Sequence, residues 1–397
     1  MKKSADSLVA HDAQDDRHYG AVHVPVYDSN LFTFSSVARM ENANAFPGDS
    51  YIYSRGNNPT VHELEQRLAA LEGGEKARCF ATGMGAISAA VLSSVRTGDH
   101  IVCVSQAYGP ARELMGSYLL RFGIETSFVD GSSLTAIEAA IRAETKLLYL
   151  ESPTSLLFEL QDLRACAILA GGRGIRTIID NTWATPCFQN PLDYGIDLVV
   201  HSLTKYIGGH SDAMGGVVIG SAELLEAIDR QEHVLLGAVM QPQTAALMAR
   251  GLRTLPLRMA RHQASGLALA SYLASQPFIT AVHYPGLTSH PQYELALTQM
   301  TGFGGLLSFE AGSDRELLVR FVDALTYFRI GFSWGGYESL VSLQEAAAMP
   351  NPVNVSSQQW RRLLVRLHIG LEDPADLIAD LAAAFKAAGF GLKRNNM

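Results

Sequence analysis

The chain has 397 residues, 48% of them hydrophobic and 18% charged, with a formal net charge of −8. That composition is ordinary for a globular protein, and the length suits a large domain joined to a smaller one. The acidic balance and the lack of a clustered basic stripe argue against a nucleic-acid surface, and no apolar run is long and charge-free enough to cross a bilayer.

The start, MKKSADSLVAHDAQDD, carries lysines with no apolar segment behind them, so no secretory leader is expected and the location is read as cytoplasmic. Residues 1–60 are polar and turn-rich and read as an extended N-terminal arm. From Val61 the stretch VHELEQRLAALEGG repeats its apolar positions at helical spacing and stops at a glycine pair. Short apolar runs then alternate with helical stretches: Ala77–Ala81, Ile101–Ser105, Leu147–Leu150, Thr177–Ile179, Leu198–His201 and Gly216–Ile219. They are apolar throughout rather than alternating, as in a parallel sheet covered on both faces. Residues 61–250 are therefore read as an α/β domain. From Gly251 onward, helices (Leu255–Ser275, Leu377–Ala388) mix with antiparallel-type strands (Gly305–Phe309, Leu363–Leu367), so residues 251–397 are read as a smaller α+β domain. Cys79, Cys103, Cys166 and Cys187 show no CxxC pairing and read as free thiols of a reducing compartment. The histidines lack metal spacing, and no metal is expected.

In open parallel sheets, ligands bind beyond the carboxyl ends of the strands. The run Ala77–Ala81 leads through Thr82-Gly83-Met84-Gly85 into a helix expected over Ala86–Val95, a pattern that suits either a phosphate cradle or plain packing. Thr177–Ile179 ends in Asp180-Asn181, and Leu198–His201 runs into Ser202-Leu203-Thr204-Lys205. Singly, Asp180 reads as a turn or helix cap and Lys205 as a solvated charge. Jointly they suit one cofactor: a lysine amine condenses with an aldehyde, and a carboxylate keeps a pyridinium nitrogen protonated. Arg366, inside the apolar stretch Leu363–Ile369, needs an anionic partner. A substrate carboxylate and a structural ion pair fit it equally at this point.

Eight segments, in order from Tyr53 almost to the C-terminus, resemble one family: YSRGNNPT, ATGMGAIS, AYGPAREL, ESPTS, DNTWATP, HSLTKYIGGHSDAMGG, SWGGYESL and RLHIGLEDPADLIADL. These segments look like the pyridoxal-phosphate (PLP) enzymes of cysteine and methionine metabolism, namely cystathionine β-lyases, γ-lyases, γ-synthases and methionine γ-lyases. The resemblance implies an aspartate-aminotransferase-like α/β fold. Its sheet is mostly parallel and flanked by helices, with a smaller α+β C-terminal domain and an N-terminal arm. It implies PLP held covalently by Lys205, which also shuttles protons, with Asp180 on the pyridine nitrogen and Tyr108 stacked on the ring. Gly83 and Met84 would offer backbone N–H groups to the phosphate, and Ser202 and Thr204 their hydroxyls. Tyr53 and Arg55 would reach the phosphate of a neighbouring subunit in a homotetramer, a dimer of dimers with shared sites. Arg366, with the Ser333 backbone, would take the α-carboxylate of a small sulfur amino acid, with Trp334 beside it.

Trp334 and Trp183 resemble bacterial cystathionine β-lyases, which points to β-elimination of cystathionine, or of a related cysteine S-conjugate, to pyruvate, ammonia and a thiol. ESPTS departs from the ESPGS of those enzymes, so a γ-lyase or γ-synthase stays open, and both tryptophans also fit bulk packing. A regulatory PLP-fold protein would be marked by loss of Lys205 or Asp180; both are present. Substrate selection would fall to the loops Glu41–Tyr51 and Ala346–Ser357.

Overall fold

The computed structural model describes residues 4–11, 18–45, 50–312, 314–347 and 361–391. Much of each loop expected to select substrate, including 46–49 and 348–357, lies outside the described residues.

Seven strands form the larger sheet: β1 (Lys76–Phe80), β2 (His100–Val104), β3 (Glu125–Val129), β4 (Thr145–Glu151), β5 (Arg176–Asp180), β6 (Leu198–Ser202) and β7 (Gly216–Gly220). Their order is β1-β7-β6-β5-β4-β2-β3. All run parallel except β7, which is antiparallel to both β1 and β6. The expectation that all these runs belong to a parallel set is corrected there. The connection from β6 to β7 carries Lys205 through successive turns with no crossover helix, and β7 returns antiparallel to its neighbour. β2 and β7 are buried at every position, as apolar strands covered on both faces must be. β3, at the sheet edge, is largely half-exposed, and its mixed sequence hid it from a search for continuous apolar runs.

The helix expected from Val61 spans Pro59–Glu72. Asn58 caps it by accepting the Thr60 N–H, Pro59 fits the first turn, and Gly73 ends it at φ 84°. The helix after β1 spans Gly83–Ser94, three residues ahead of expectation, because Thr82 caps it through the Gly85 N–H. The shift places Gly83 and Met84 in the first turn, where backbone N–H groups have no intrahelical acceptor.

The second sheet comprises β8 (Ala281–His283), β9 (Leu306–Glu310), β10 (Arg329–Ile330), β11 (Leu340–Ala347) and β12 (Arg361–His368), in the order β10-β11-β12-β9-β8. β11, β12, β9 and β8 pair antiparallel. The helix Pro374–Ala388 packs there, with Phe321 stacked on Phe385 at 4.2 Å. Phe158, Leu160, Trp183 and Ala184, from loops leaving β4 and β5, are buried in this second core. The carboxyl ends of the large sheet are thereby fastened to the small one.

Candidate active site

Asp180 ends β5 and is buried. The Thr182 N–H donates to its Oδ1 at 3.0 Å, and the Thr182 hydroxyl donates to the same oxygen. Thr182 Oγ1 in turn accepts the Ser202 N–H at 2.9 Å, which ties the ends of β5 and β6 together. Burial raises the Asp180 carboxyl, opposed by the Thr182 bonds and by the positive fields of His201 and Lys205. Beside it in register, at the end of β4, stands Glu151, also buried. Glu151 Oε2 accepts the Tyr108 N–H at 2.6 Å, and the Ser155 hydroxyl contacts Oε1. Tyr108 is half-exposed and caps the short helix Gly109–Glu113.

At the end of β6 the large-sheet backbone crowds together. A Cβ on Gly83 would stand 2.9 Å from Ser202 Oγ, and one on Gly216 would stand 2.3 Å from the Thr82 carbonyl oxygen. Only glycine permits that approach, and it brings the first turn of the Gly83–Ser94 helix up against Ser202. The Thr204 hydroxyl is already engaged, accepting the Gly215 N–H at 3.1 Å.

Lys205 lies past β6 and is half-buried. Its amine donates to Ser333 Oγ at 2.5 Å and stands 5.4 Å from the Trp334 ring. Burial, with the positive field of Arg366, pushes that amine down to about 8 against the attraction of Asp180. The turn that receives it is unusual. Ser333 has φ 82° and Gly335 φ 92°, and a Cβ on Gly335 would fall 2.7 Å from the Lys205 carbonyl carbon and the Tyr206 nitrogen. The Gly335 N–H meets His368 Nε2 at 3.0 Å, and burial pushes that imidazole down to about 4, so it is neutral. The Arg366 guanidinium, on β12, is lowered by burial, with Tyr108 opposing. Among the described residues no carboxylate pairs with it.

Lys205, Asp180, Tyr108, Gly83, Met84, Ser202, Ser333, Trp334 and Arg366 thus gather at the strand ends. Tyr53 and Arg55 do not join them. Both are exposed on the arm, the Arg55 guanidinium 5.6 Å from the Tyr53 ring, and among the described residues no hydrogen bond or ion pair links either to Lys205 or Asp180. Trp183 is a packing residue, as one sequence reading allowed: it is buried in the second core, and its indole N–H donates to the Leu306 carbonyl at 3.1 Å. Glu151 and Thr182 were inside motifs the sequence displayed, yet carried no assigned role. A buried acid at a strand end was the signal that could have found Glu151. Among the described residues no cluster could hold a metal ion, and no helix is long and apolar enough to cross a membrane.

The residues present fit PLP. Backbone donors and a hydroxyl meet at a helix N-terminus, a buried acid lacks a cationic bond partner among the described residues, and a lysine amine is held low. The fold and this lysine–acid site define a PLP-dependent enzyme. Its sequence matches, over residues 6–386, the family described as Cys/Met metabolism PLP-dependent enzyme. The chain belongs to that family. It is 41% identical to the L-methionine gamma-lyase of Pseudomonas putida, with 95% of each chain covered. It is 40% identical to the cystathionine gamma-lyase of Bacillus subtilis, covering 94% of this chain and 96% of that one. Against the cystathionine beta-lyase of Lactococcus lactis subsp. cremoris the identity is 37%, again over 94% and 96%. The crystal structure of metB from Corynebacterium glutamicum superposes with a TM-score of 0.87 at 34% identity, covering 97% of this chain and 98% of that one. The protein is accordingly a PLP-dependent lyase or synthase of cysteine and methionine metabolism.

Proposed function

We propose that the enzyme carries out β-elimination on cystathionine or a related cysteine S-conjugate, releasing pyruvate, ammonia and a thiol. The observation that carries this reading is Trp334, which resembles bacterial cystathionine β-lyases in sequence and whose ring stands 5.4 Å from the Lys205 amine. β-Elimination needs one proton removed, at Cα, whereas a γ-leaving group needs a second removed at Cβ. When bound, PLP supplies an electron sink for the pair left at Cα.

The chain's own residues divide the remaining work. Arg366 receives the substrate α-carboxylate through its planar fork, which fixes two oxygens at once. Asp180 keeps the ring nitrogen protonated. The Gly83 and Met84 N–H groups and the Ser202 hydroxyl hold the phosphate, Thr204 joining them if its hydroxyl turns from Gly215. Lys205, with its amine near 8, is partly neutral at working pH and removes the Cα proton. Tyr108 covers the ring face and is held by Glu151.

The γ-lyase reading has its own support in the 41% and 40% identities to two γ-lyases. Product analysis decides between them: pyruvate and homocysteine from cystathionine are expected, and predominant 2-oxobutyrate and cysteine would overturn the β-reading. Two further features belong to the same proposal. The exposed Tyr53 and Arg55 complete a neighbouring subunit's site in a homo-oligomer, a dimer of dimers. The four free cysteines suit a reducing cytoplasm. The large sheet and its helices, residues 61–250, are read as the PLP-binding domain and residues 251–397 as the second.

A further inference from the structure

Two buried acids, Glu151 and Asp180, are Cα partners at the adjacent ends of β4 and β5. Parallel partners in register put their side chains on the same face of the sheet. Two such groups cannot both ionise without a large repulsion, so the pair keeps one proton over a wide pH range. The hydrogen bonds decide where that proton sits. Thr182 Oγ1 accepts the Ser202 N–H, so its own proton is directed to Asp180, and the Thr182 N–H reaches the same oxygen. Asp180 therefore meets two donors and needs no proton of its own. Glu151 also meets two donors, but the Ser155 hydroxyl differs from that of Thr182: its one hydrogen bond among the described residues is the one it donates to Glu151 Oε1, and no other group fixes its direction. That hydroxyl is free to turn and accept. Oε2, the other oxygen, accepts the Tyr108 N–H, a role that a neutral carboxyl fills with its carbonyl.

We propose that Glu151 carries the proton of the Glu151–Asp180 pair and acts as a neutral positioning residue, anchoring Tyr108 while leaving Asp180 the charged acid offered to the cofactor ring. The inference rests on the assignment of Asp180 to the ring nitrogen. The surroundings agree with it. Burial, followed by the field of Asp180, pushes the Glu151 carboxyl up to about 8. The groups facing Glu151 are Asp180 on β5, the Cys103 thiol on β2, the Tyr149 phenol on β4, Tyr108 in the loop, and Arg112 on the short helix. The Ser155 and Tyr108 hydrogen bonds and the charge of Arg112 favour ionisation, and together they do not offset burial and the field of Asp180. The Cys103 thiol and the Tyr149 phenol are themselves pushed up and stay neutral.

The test uses holoenzyme made with isotope-labelled glutamate. Infrared spectra at neutral pH should show a protonated-carboxyl carbonyl stretch that shifts with the label, fades as pH is raised through about 8, and is missing in Glu151→Gln. The amide reproduces the neutral acid, donating to Ser155 and accepting from Tyr108. PLP titration of apo-Glu151→Gln should therefore give an affinity within about threefold of the wild type. Glu151→Ala leaves the Tyr108 N–H without its acceptor and should weaken PLP binding by about tenfold or more. It should also reduce the visible circular dichroism of the bound cofactor. A wild-type spectrum without the label-sensitive band would overturn the proposal, and that measurement needs no variant to fold. Glu151→Gln binding as poorly as Glu151→Ala would show that a charge is required. Full affinity in Glu151→Ala would remove the anchoring role. If borohydride reduction labelled a lysine other than Lys205, the site assignment itself would fail, an outcome separate from any of these.

Discussion

Gly335→Ala should uncouple the active-site lysine from the turn that braces it. Gly335 holds φ 92°, and a Cβ there would fall 2.7–2.8 Å from Lys205 and Tyr206 backbone atoms. Left-handed backbone costs a non-glycine residue about 1–2 kcal/mol. Overpacking against backbone, which cannot rotate aside, adds about 1–3 kcal/mol, so a total of about 2–5 kcal/mol is expected. The fold supplies its own control. Gly98 also has φ 92°, but a Cβ there meets nothing within 4 Å. It precedes β2, at the amino end of the sheet, away from Lys205. Gly98→Ala should thus report the backbone term alone, about 1–2 kcal/mol, with unchanged turnover. Gly335→Ala should lose more stability in urea and about a hundredfold in kcat/KM, the scale expected when a reacting group is misplaced by about 1 Å. If the two variants lost equal stability and both kept full activity, the turn would not be positioning Lys205.

Three other outcomes follow from the site. Arg366→Lys keeps the charge but loses the fork, and kcat/KM should fall about tenfold to a hundredfold for loss of one charge-assisted bond of about 1.5–3 kcal/mol; near-normal kinetics would make Arg366 peripheral. Covalent attachment of PLP to the apoprotein requires a neutral amine, so its rate should rise with pH and level off above about 8. A rate still climbing toward the ordinary lysine value of about 10.4 would contradict the lowered amine. Lys205→Ala and Arg55→Ala, each inactive alone, should regain about a quarter of wild-type sites when refolded together, because a mixed dimer has one site with both lesions and one with neither; no recovery in confirmed mixed dimers would rule out sharing.

What the sequence disclosed and what it hid have physical causes. β2, β5, β6 and β7 were visible because burial on both faces leaves unbroken apolar runs, while β3 and β8, half-exposed or short, leave none. The reversed direction of β7 is a property of the connection, to which composition is blind. Gly83 and Gly85 read as a turn, and the Thr82 cap that draws them into the helix is a single hydroxyl. Lys205, Asp180 and Arg366 stood out because each is a charged group set at or inside an apolar run. The packing of Gly335 on Lys205 joins residues 130 apart in the chain (335 − 205) and has no local signature. Trp183 shows the converse: its motif drew notice, yet its indole serves the second core.

That burial of Trp183 couples the second core to the carboxyl end of β5. The indole follows Asp180 by three positions and is clamped to the Leu306 carbonyl on β9, while Phe158 and Leu160 anchor the segment leaving β4 in the same way. A substitution inside the second core, such as Trp183→Phe, is therefore transmitted to the end of β5 through this one hydrogen bond and the packing around it.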